Sequence, residues 1–241
     1  MGVGIIAITI SRFKIIYIKN AGNISKNDLQ KIIHFVKIYS KCIGGNMLII
    51  LSGSAGVGKN TLITKLLESH NNIKLLQTCT TRMPRSTDKD MHNPYIYLTR
   101  EEFEQKIKNG ELFEHEEIHE NFYGMLNSSL EEIANSRDYH YIKDIGVLGQ
   151  KNIKEALKGK TEVLSIFLTA PKEELIRRLI ARGDRDIDLR ISRMEFEFSY
   201  VKNYDAVIEN IDMQKALKEI EKLIKKFEKK DMILKQKNQK K

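Results

Sequence analysis

Cysteine is scarce in this chain: Cys42 and Cys79 are the two present in 241 residues. Neither their number nor their spacing allows a disulfide framework or a zinc knuckle, so a reducing, cytoplasmic setting is expected. Long apolar runs are missing too. The stretch Gly2 to Ile10 is too short to span a bilayer and has no basic residue before it, which argues against a signal peptide and a membrane anchor. It also carries Ile6 where an N-myristoylation signal wants Ser or Thr. No internal repeat is visible, and no disulfide, solenoid or membrane class therefore recommends itself. With 41% hydrophobic and 30% charged residues the composition is that of a globular protein, long enough for one domain with a small appendage.

The formal net charge of +9 suits a ligand with several phosphates, nucleic acid or an anionic surface, and its distribution decides between them. Eleven lysines fall within 215–241, where Ala216, Leu217, Ile220, Leu223, Ile224 and Phe227 keep helical spacing. That pattern predicts a docked last helix with a solvated basic face and a frayed basic tail over 231–241. Nucleic acid is not the expected partner.

What the chain does have is Gly53-Ser54-Ala55-Gly56-Val57-Gly58-Lys59-Asn60-Thr61, directly after the apolar run Met47 to Leu51. It fits the pattern G-x-x-x-x-G-K. Glycines let the backbone turn its N–H groups inward, the following helix adds the positive end of its dipole, and the lysine reaches the outer phosphates. The position after the lysine, where Ser or Thr would hold magnesium, is Asn60. The expected metal ligand therefore moves to Thr61.

Residues 1–46 form an extension of unknown role, with apolar runs Ile5 to Ile10 and Lys14 to Ile18 and an amphipathic stretch Asp28 to Tyr39, together a possible β-β-α appendage. From Met47 to 230 strands and helices alternate. Strands are expected at Met47–Ser52, Lys74–Cys79, Tyr95–Leu98, Tyr139–Asp144, Glu162–Leu168 and Ala206–Glu209, with short segments at Leu112–Ile118 and Asn121–Gly124. Helices are expected from Asn60, after the capping box Thr99-Arg100-Glu101-Glu102, at Ser129–Ser136 and Gln150–Leu157, from Pro171 as first helical residue to Ala181, and at Leu189–Lys202. The alternation predicts an α/β fold: a parallel sheet behind the phosphate loop, covered by helices on both faces, with a small inserted β-rich subdomain near 79–126.

A second constellation follows the second strand. Thr78-Cys79-Thr80-Thr81-Arg82-Met83-Pro84-Arg85 sets two arginines around a proline as a fork for phosphate or carboxylate. Then come Tyr95-Ile96-Tyr97, Glu111-Leu112-Phe113-Glu114 and Asn121-Phe122-Tyr123-Gly124. In this order, behind the loop at 53–61, these motifs resemble the guanylate kinase family over about three quarters of the chain. The resemblance implies a nucleoside-monophosphate-binding subdomain at 79–126, a helical lid at 182–193, ATP as donor with Mg2+, and GMP as acceptor. It implies that Arg82, Arg85, Tyr95 and Tyr123 grip the acceptor phosphate, that Thr78 and Glu114 read its base, and that Asp144 lies beside it. Lys59, Arg82, Arg178 and Arg190 would stabilise the transferring group, while Arg182 and Asn210 would hold the donor with the loop. Guanine suits this set, because its two N–H donors match a carboxylate and its O6 matches a hydroxyl. The expected partners are therefore small nucleotides, in a monomer or homodimer.

Two departures from the family pattern bear on the acceptor. Met125 stands where a small hydroxyl residue is common, and Gly146 replaces the second acid of a pair whose first member is Asp144. A weaker or altered base preference is expected from them. Two other activities share parts of the pattern: a non-catalytic protein-binding module, expected to lose the lysine that is intact here, and a related kinase for a phosphorylated sugar, which would dispense with Thr78 and Glu114 as base readers. His115-Glu116-Glu117-Ile118-His119 is a literal H-E-x-x-H, but zinc binding would need a sustained helix, and Asn121-Phe122-Tyr123-Gly124 interrupts it.

Overall fold

The computed structural model describes residues 3–10, 13–20, 46–84, 94–118, 120–136, 138–184 and 187–238, with backbone alone for 3–20 and 230–238. Two compact units emerge, Met1–Ile43 and Gly44–Lys241. In the first, β1 (Val3–Ile10) and β2 (Phe13–Asn20) pair antiparallel from Val3↔Asn20 to Ile10↔Phe13. Both expected apolar runs are thus strands. The amphipathic stretch at 28–39 lies outside the described residues.

The second unit is built on a five-stranded sheet, order β11-β10-β3-β9-β4, parallel throughout. Its central strand β3 (Met47–Ser52) is apolar without alternation because both of its faces are covered, as parallel strands require. Met47, Ile49 and Leu51 join a core with α1 (Lys59–Ser69), α5 (Lys172–Ala181) and α7 (Met213–Asn238), through Leu62, Ile63, Leu175, Leu179 and Ile220. On the other side Leu48 and Ile50 pack with Ile133 of α3 (Asn127–Asn135) and Ile153 of α4 (Val147–Ala156). The flanking strands are β10 (Glu162–Thr169), β9 (His140–Asp144), β11 (Ala206–Glu209) and the edge strand β4 (Ile73–Leu75).

A separate four-stranded sheet, order β6-β5-β8-β7, forms the inserted subdomain from β5 (Thr78–Thr80), β6 (Tyr95–Tyr97), β7 (Leu112–Ile118) and β8 (Asn121–Leu126). Its helix α2 (Arg100–Lys108) starts at the expected capping box, Thr99 accepting from the Glu102 N–H and Glu102 accepting from the Thr99 N–H. Phe103 of α2, fully buried, stacks on Phe122 with ring centroids 5.2 Å apart and fixes helix to sheet. Helix α6 (Ile187–Phe198) follows the expected lid turn and leads into a 3-10 turn, Val201–Asn203.

Four expectations are corrected. The single strand Lys74–Cys79 is two, β4 and β5, in different sheets, because Leu76 and Gln77 carry the chain from one to the other. Helix α4 begins at Val147 rather than Gln150, with Gly146 as its N-cap. Pro171 is the N-cap of α5, with ψ 142°, so its ring precedes the first turn instead of occupying it. The last helix runs to Asn238, through most of the segment expected to fray. Among the described residues no helix is long and apolar enough to cross a membrane.

Candidate nucleotide site

The phosphate loop hangs from the C-terminal end of β3, where an open parallel sheet places its ligand crevice. Three of its glycines have positive φ, 137° at Gly53, 83° at Gly56 and 93° at Gly58. At Gly53 the requirement is absolute: a β-carbon there would lie 2.3 Å from the Leu168 carbonyl oxygen. Helix α1 begins without a side-chain cap and without an acid in its first turn, which leaves its first N–H groups and positive dipole end to an anion. Lys59 is half-buried and folds back over the loop, its Nζ donating to the carbonyls of Gly53 (2.5 Å) and Ser54 (3.3 Å). Burial lowers its pKa, with Glu197 and Asp144 opposing the shift. Those carbonyls hold the ammonium over the loop.

A cavity of about 820 Å³ opens from this loop. It is lined by Gly53, Ala55, Gly56, Gly58, Lys59, Asn60 and Thr61 on one side and by Thr78, Arg82, Tyr95, Glu114 and Tyr123 on the other, with Asp144 between. Arg178, Arg182, Arg190 and Asn210 also line it. The side chains of Ser54 and Val57 do not line it; both are buried beneath the loop, which leaves only their backbone to face a ligand. Arg85 lies outside the described residues. Every other residue expected at the site reaches the one cavity.

On the donor side Asn210 is a buried brace. Its Nδ2 donates to the Val57 carbonyl at 2.7 Å, and its own carbonyl accepts from Arg178 Nη2 at 2.9 Å. Arg178 is further held by Glu174 at 2.7 Å, and Asp184 holds both Arg182 and Arg190, the latter at 3.1 Å. Each of these guanidiniums thus has a carboxylate partner, Glu174 or Asp184, an anion of the kind a phosphate can replace.

On the acceptor side the Tyr95 ring takes Lys143 Nζ at 4.0 Å and the Arg82 guanidinium at 5.3 Å on its face, and its hydroxyl donates to Asp144 Oδ2 at 3.4 Å. Tyr123 meets the same ring edge-on, centroids 6.0 Å apart. Lys143, on β9 and fully buried, donates to the Pro94 carbonyl at 3.0 Å and pairs with Asp144 at 3.2 Å. Glu114 is pressed against the first turn of α4, where a β-carbon at Gly149 would lie 2.3 Å from its Oε1. Burial pushes its carboxyl up to about 7, a hydrogen bond from Asn152 opposes that shift, and Glu116 adds to it.

Five residues of this neighbourhood were not among those expected at the nucleotide site: Lys143, Asn152, Arg193, Glu197 and Glu116, the last named only within the H-E-x-x-H stretch. Glu116 is spaced two from Glu114 on a strand, and Arg193 and Glu197 fall three and seven after Arg190 on a helix, so each shares a face with an expected residue. Arg193 Nη2 donates to Glu116 Oε1 at 2.8 Å, which ties α6 to the four-stranded sheet. The H-E-x-x-H stretch lies on β7 through Ile118, extended as expected, with His119 outside the described residues. Among the described residues no cluster of three or more His, Cys, Asp or Glu could hold a metal.

Residues 45–227 match the family model for guanylate kinase. A guanylate kinase of Clostridioides difficile is 35% identical over 182 residues, 74% of this chain and 86% of that protein. One of Prochlorococcus marinus is 38% identical over 182 residues, 74% of this chain and 96% of its own length. The crystal structure of guanylate kinase from Anaplasma phagocytophilum superposes with a TM-score of 0.59 at 30% identity, covering 76% of this chain and 86% of that one. A family match over most of the length, together with relatives covered almost end to end, settles the kinship: this chain belongs to the guanylate kinase family.

Proposed function

We propose that the chain transfers the terminal phosphoryl group of ATP to GMP, giving ADP and GDP. The observation that carries this reading is the single cavity in which the phosphate loop faces Glu114, Thr78 and the Tyr95–Arg82 patch. An oxygen of the GMP phosphate attacks the terminal phosphorus of ATP, and the bond to the bridging oxygen breaks with its electron pair leaving on ADP. The attacking oxygen is already anionic, so no general base is required. Mutual repulsion of two polyanions is the barrier, and positioning with charge neutralisation lowers it. Loop amides and Lys59 would hold the donor, Arg82, Tyr95 and Tyr123 the acceptor phosphate, and Arg178, Arg182 and Arg190 the group in transit. Closure of the segment around 182–193 would exclude water, the competing acceptor.

Magnesium suits the donors present, since the Thr61 hydroxyl and the Asp144 carboxylate are hard oxygen ligands on the cavity wall. Bound there with substrate phosphates, it would supply further neutralisation of the phosphate oxygens. A protein-binding module has no use for a loop with Lys59 seated in it, and a phosphorylated sugar, though its hydroxyls can donate to a carboxylate, lacks the flat base edge that Glu114 and Thr78 on one cavity wall would read together. The direct test is ADP release in a coupled assay with each nucleoside monophosphate in turn. GMP should give the highest turnover, and a rate with GMP no greater than with water alone would reject the assignment.

Glu114 gives this activity a pH signature. Burial raises its carboxyl to about 7, and only the ionised form accepts with both oxygens, since protonation turns one of them into an O–H donor facing the guanine N–H groups. Acceptor kcat/KM should therefore be lost as pH falls through about 7 and reach a plateau above it, with the KM for ATP unaffected. Steady-state kinetics across this range would check it, and in E114Q the residual activity should lose that inflection.

A further inference from the structure

Glu116 occupies an unusual position. On β7, residues two apart point to the same side, so Glu116 and Glu114 face the cavity together. Each lies over a glycine of the α4 start, three residues apart: Gly149 under Glu114 and Gly146 under Glu116. A β-carbon built on Gly146 would lie 3.2 Å from Glu116 Oε2. The other oxygen, Oε1, accepts from Arg193. The carboxylate is thus clamped at one oxygen, with the second turned toward the place where a side chain at 146 would project.

We infer that Glu116 is a specificity-determining residue: its Oε2 accepts from the 2-amino group of the acceptor purine, beside Glu114, which accepts from the ring N–H. This rests on the GMP reading above and deepens it. A base edge with two adjacent N–H donors, the ring N–H and the 2-amino group, is what two neighbouring ionised carboxylates recognise, and it relieves the repulsion between them by giving both something to bind. Arg193 offsets the second negative charge and fixes the orientation of its carboxylate. The acid missing at Gly146 is, on this geometry, replaced from across the cavity. The loss of an acid there therefore need not relax the choice of base, contrary to what the sequence alone suggests.

The comparison of GMP with IMP, which lacks only the 2-amino group, isolates the contact. E116A should lower kcat/KM for GMP roughly ten- to hundredfold, the value of a hydrogen bond to a charged acceptor, and leave IMP within about threefold. E116Q keeps the shape and an oxygen for Arg193 but can present an amide N–H to the amino group, and should show the same selective loss. In E116A/G146D a carboxylate returns to the same volume from the α4 side, and the GMP-to-IMP ratio should recover. Equal loss with GMP and IMP in E116A or E116Q, or a double variant that regains no preference, would overturn the assignment. No GMP turnover by the unmodified protein would instead reject the kinase reading itself, so the two failures are distinguishable.

Discussion

Lys59→Ala is expected to lower kcat for phosphoryl transfer by about 10²–10³-fold or more, the usual cost of deleting one preorganised charge aimed at a transition state. Lys59 sits half-buried at the first position of α1, and its Nζ contacts are loop carbonyls rather than core partners, so its removal creates no hole in the packing. The fold should survive and the chemistry should not. ADP release at saturating ATP and GMP measures the first effect, and circular dichroism with thermal melting checks the second. The KM for GMP should move little, because the residues proposed to grip the acceptor phosphate belong to the other sheet, Tyr95 on β6 and Tyr123 on β8, or follow its strand β5, as Arg82 does. Retention of more than about a tenth of the rate would mean that the loop binds nucleotide without taking part in transfer.

The second large effect is structural. Gly53→Ala forces an L side chain to φ 137° and a β-carbon to 2.3 Å from the Leu168 carbonyl oxygen, a backbone atom of β10 that cannot rotate away. Backbone strain of about 1–3 kcal/mol adds to the clash, against a total stability of about 5–15 kcal/mol. A loss of roughly 3–5 kcal/mol and a melting point lower by about 10 °C are expected, together with loss of ATP binding. Gly110→Ala separates the two contributions. Gly110 also has positive φ, 67°, but a β-carbon there meets nothing within 4 Å, so its substitution should cost only about 1 kcal/mol. Thermal melts of both variants beside the parent read the difference directly, and equal destabilisation would show that the Leu168 contact contributes nothing.

Legibility in the sequence followed the range of the interactions. The phosphate loop is contiguous, and β3, the glycines and α1 were readable because their requirements are local. The capping box at Thr99 and Glu102 was readable for the same reason. The break between β4 and β5 was not, since Lys74 to Cys79 contains no Gly or Pro to mark it and only the pairing of β4 with β9 and of β5 with β6 and β8 divides it. Helix α4 starts three residues before the expected Gln150, and its first turn contains Gly149. It is there to leave room for Glu114. The Glu116–Arg193 pair spans 77 residues, and no periodicity connects its members. Family resemblance located Glu114, Arg82 and Tyr95, but it had no place for Lys143, whose partners come from β9, the Pro94 segment and Tyr95.

The central strand β3 has one further consequence. It is paired along both edges, by β9 and β10, and its alternate side chains belong to opposite cores. Solvent cannot reach its amides by peeling away a margin; both layers have to part first. The loop suspended from its end inherits that reluctance. Nucleotides therefore come and go against an anchorage as durable as the whole unit, and whatever breathing the catalytic cycle demands falls to the arginine-bearing segments around it.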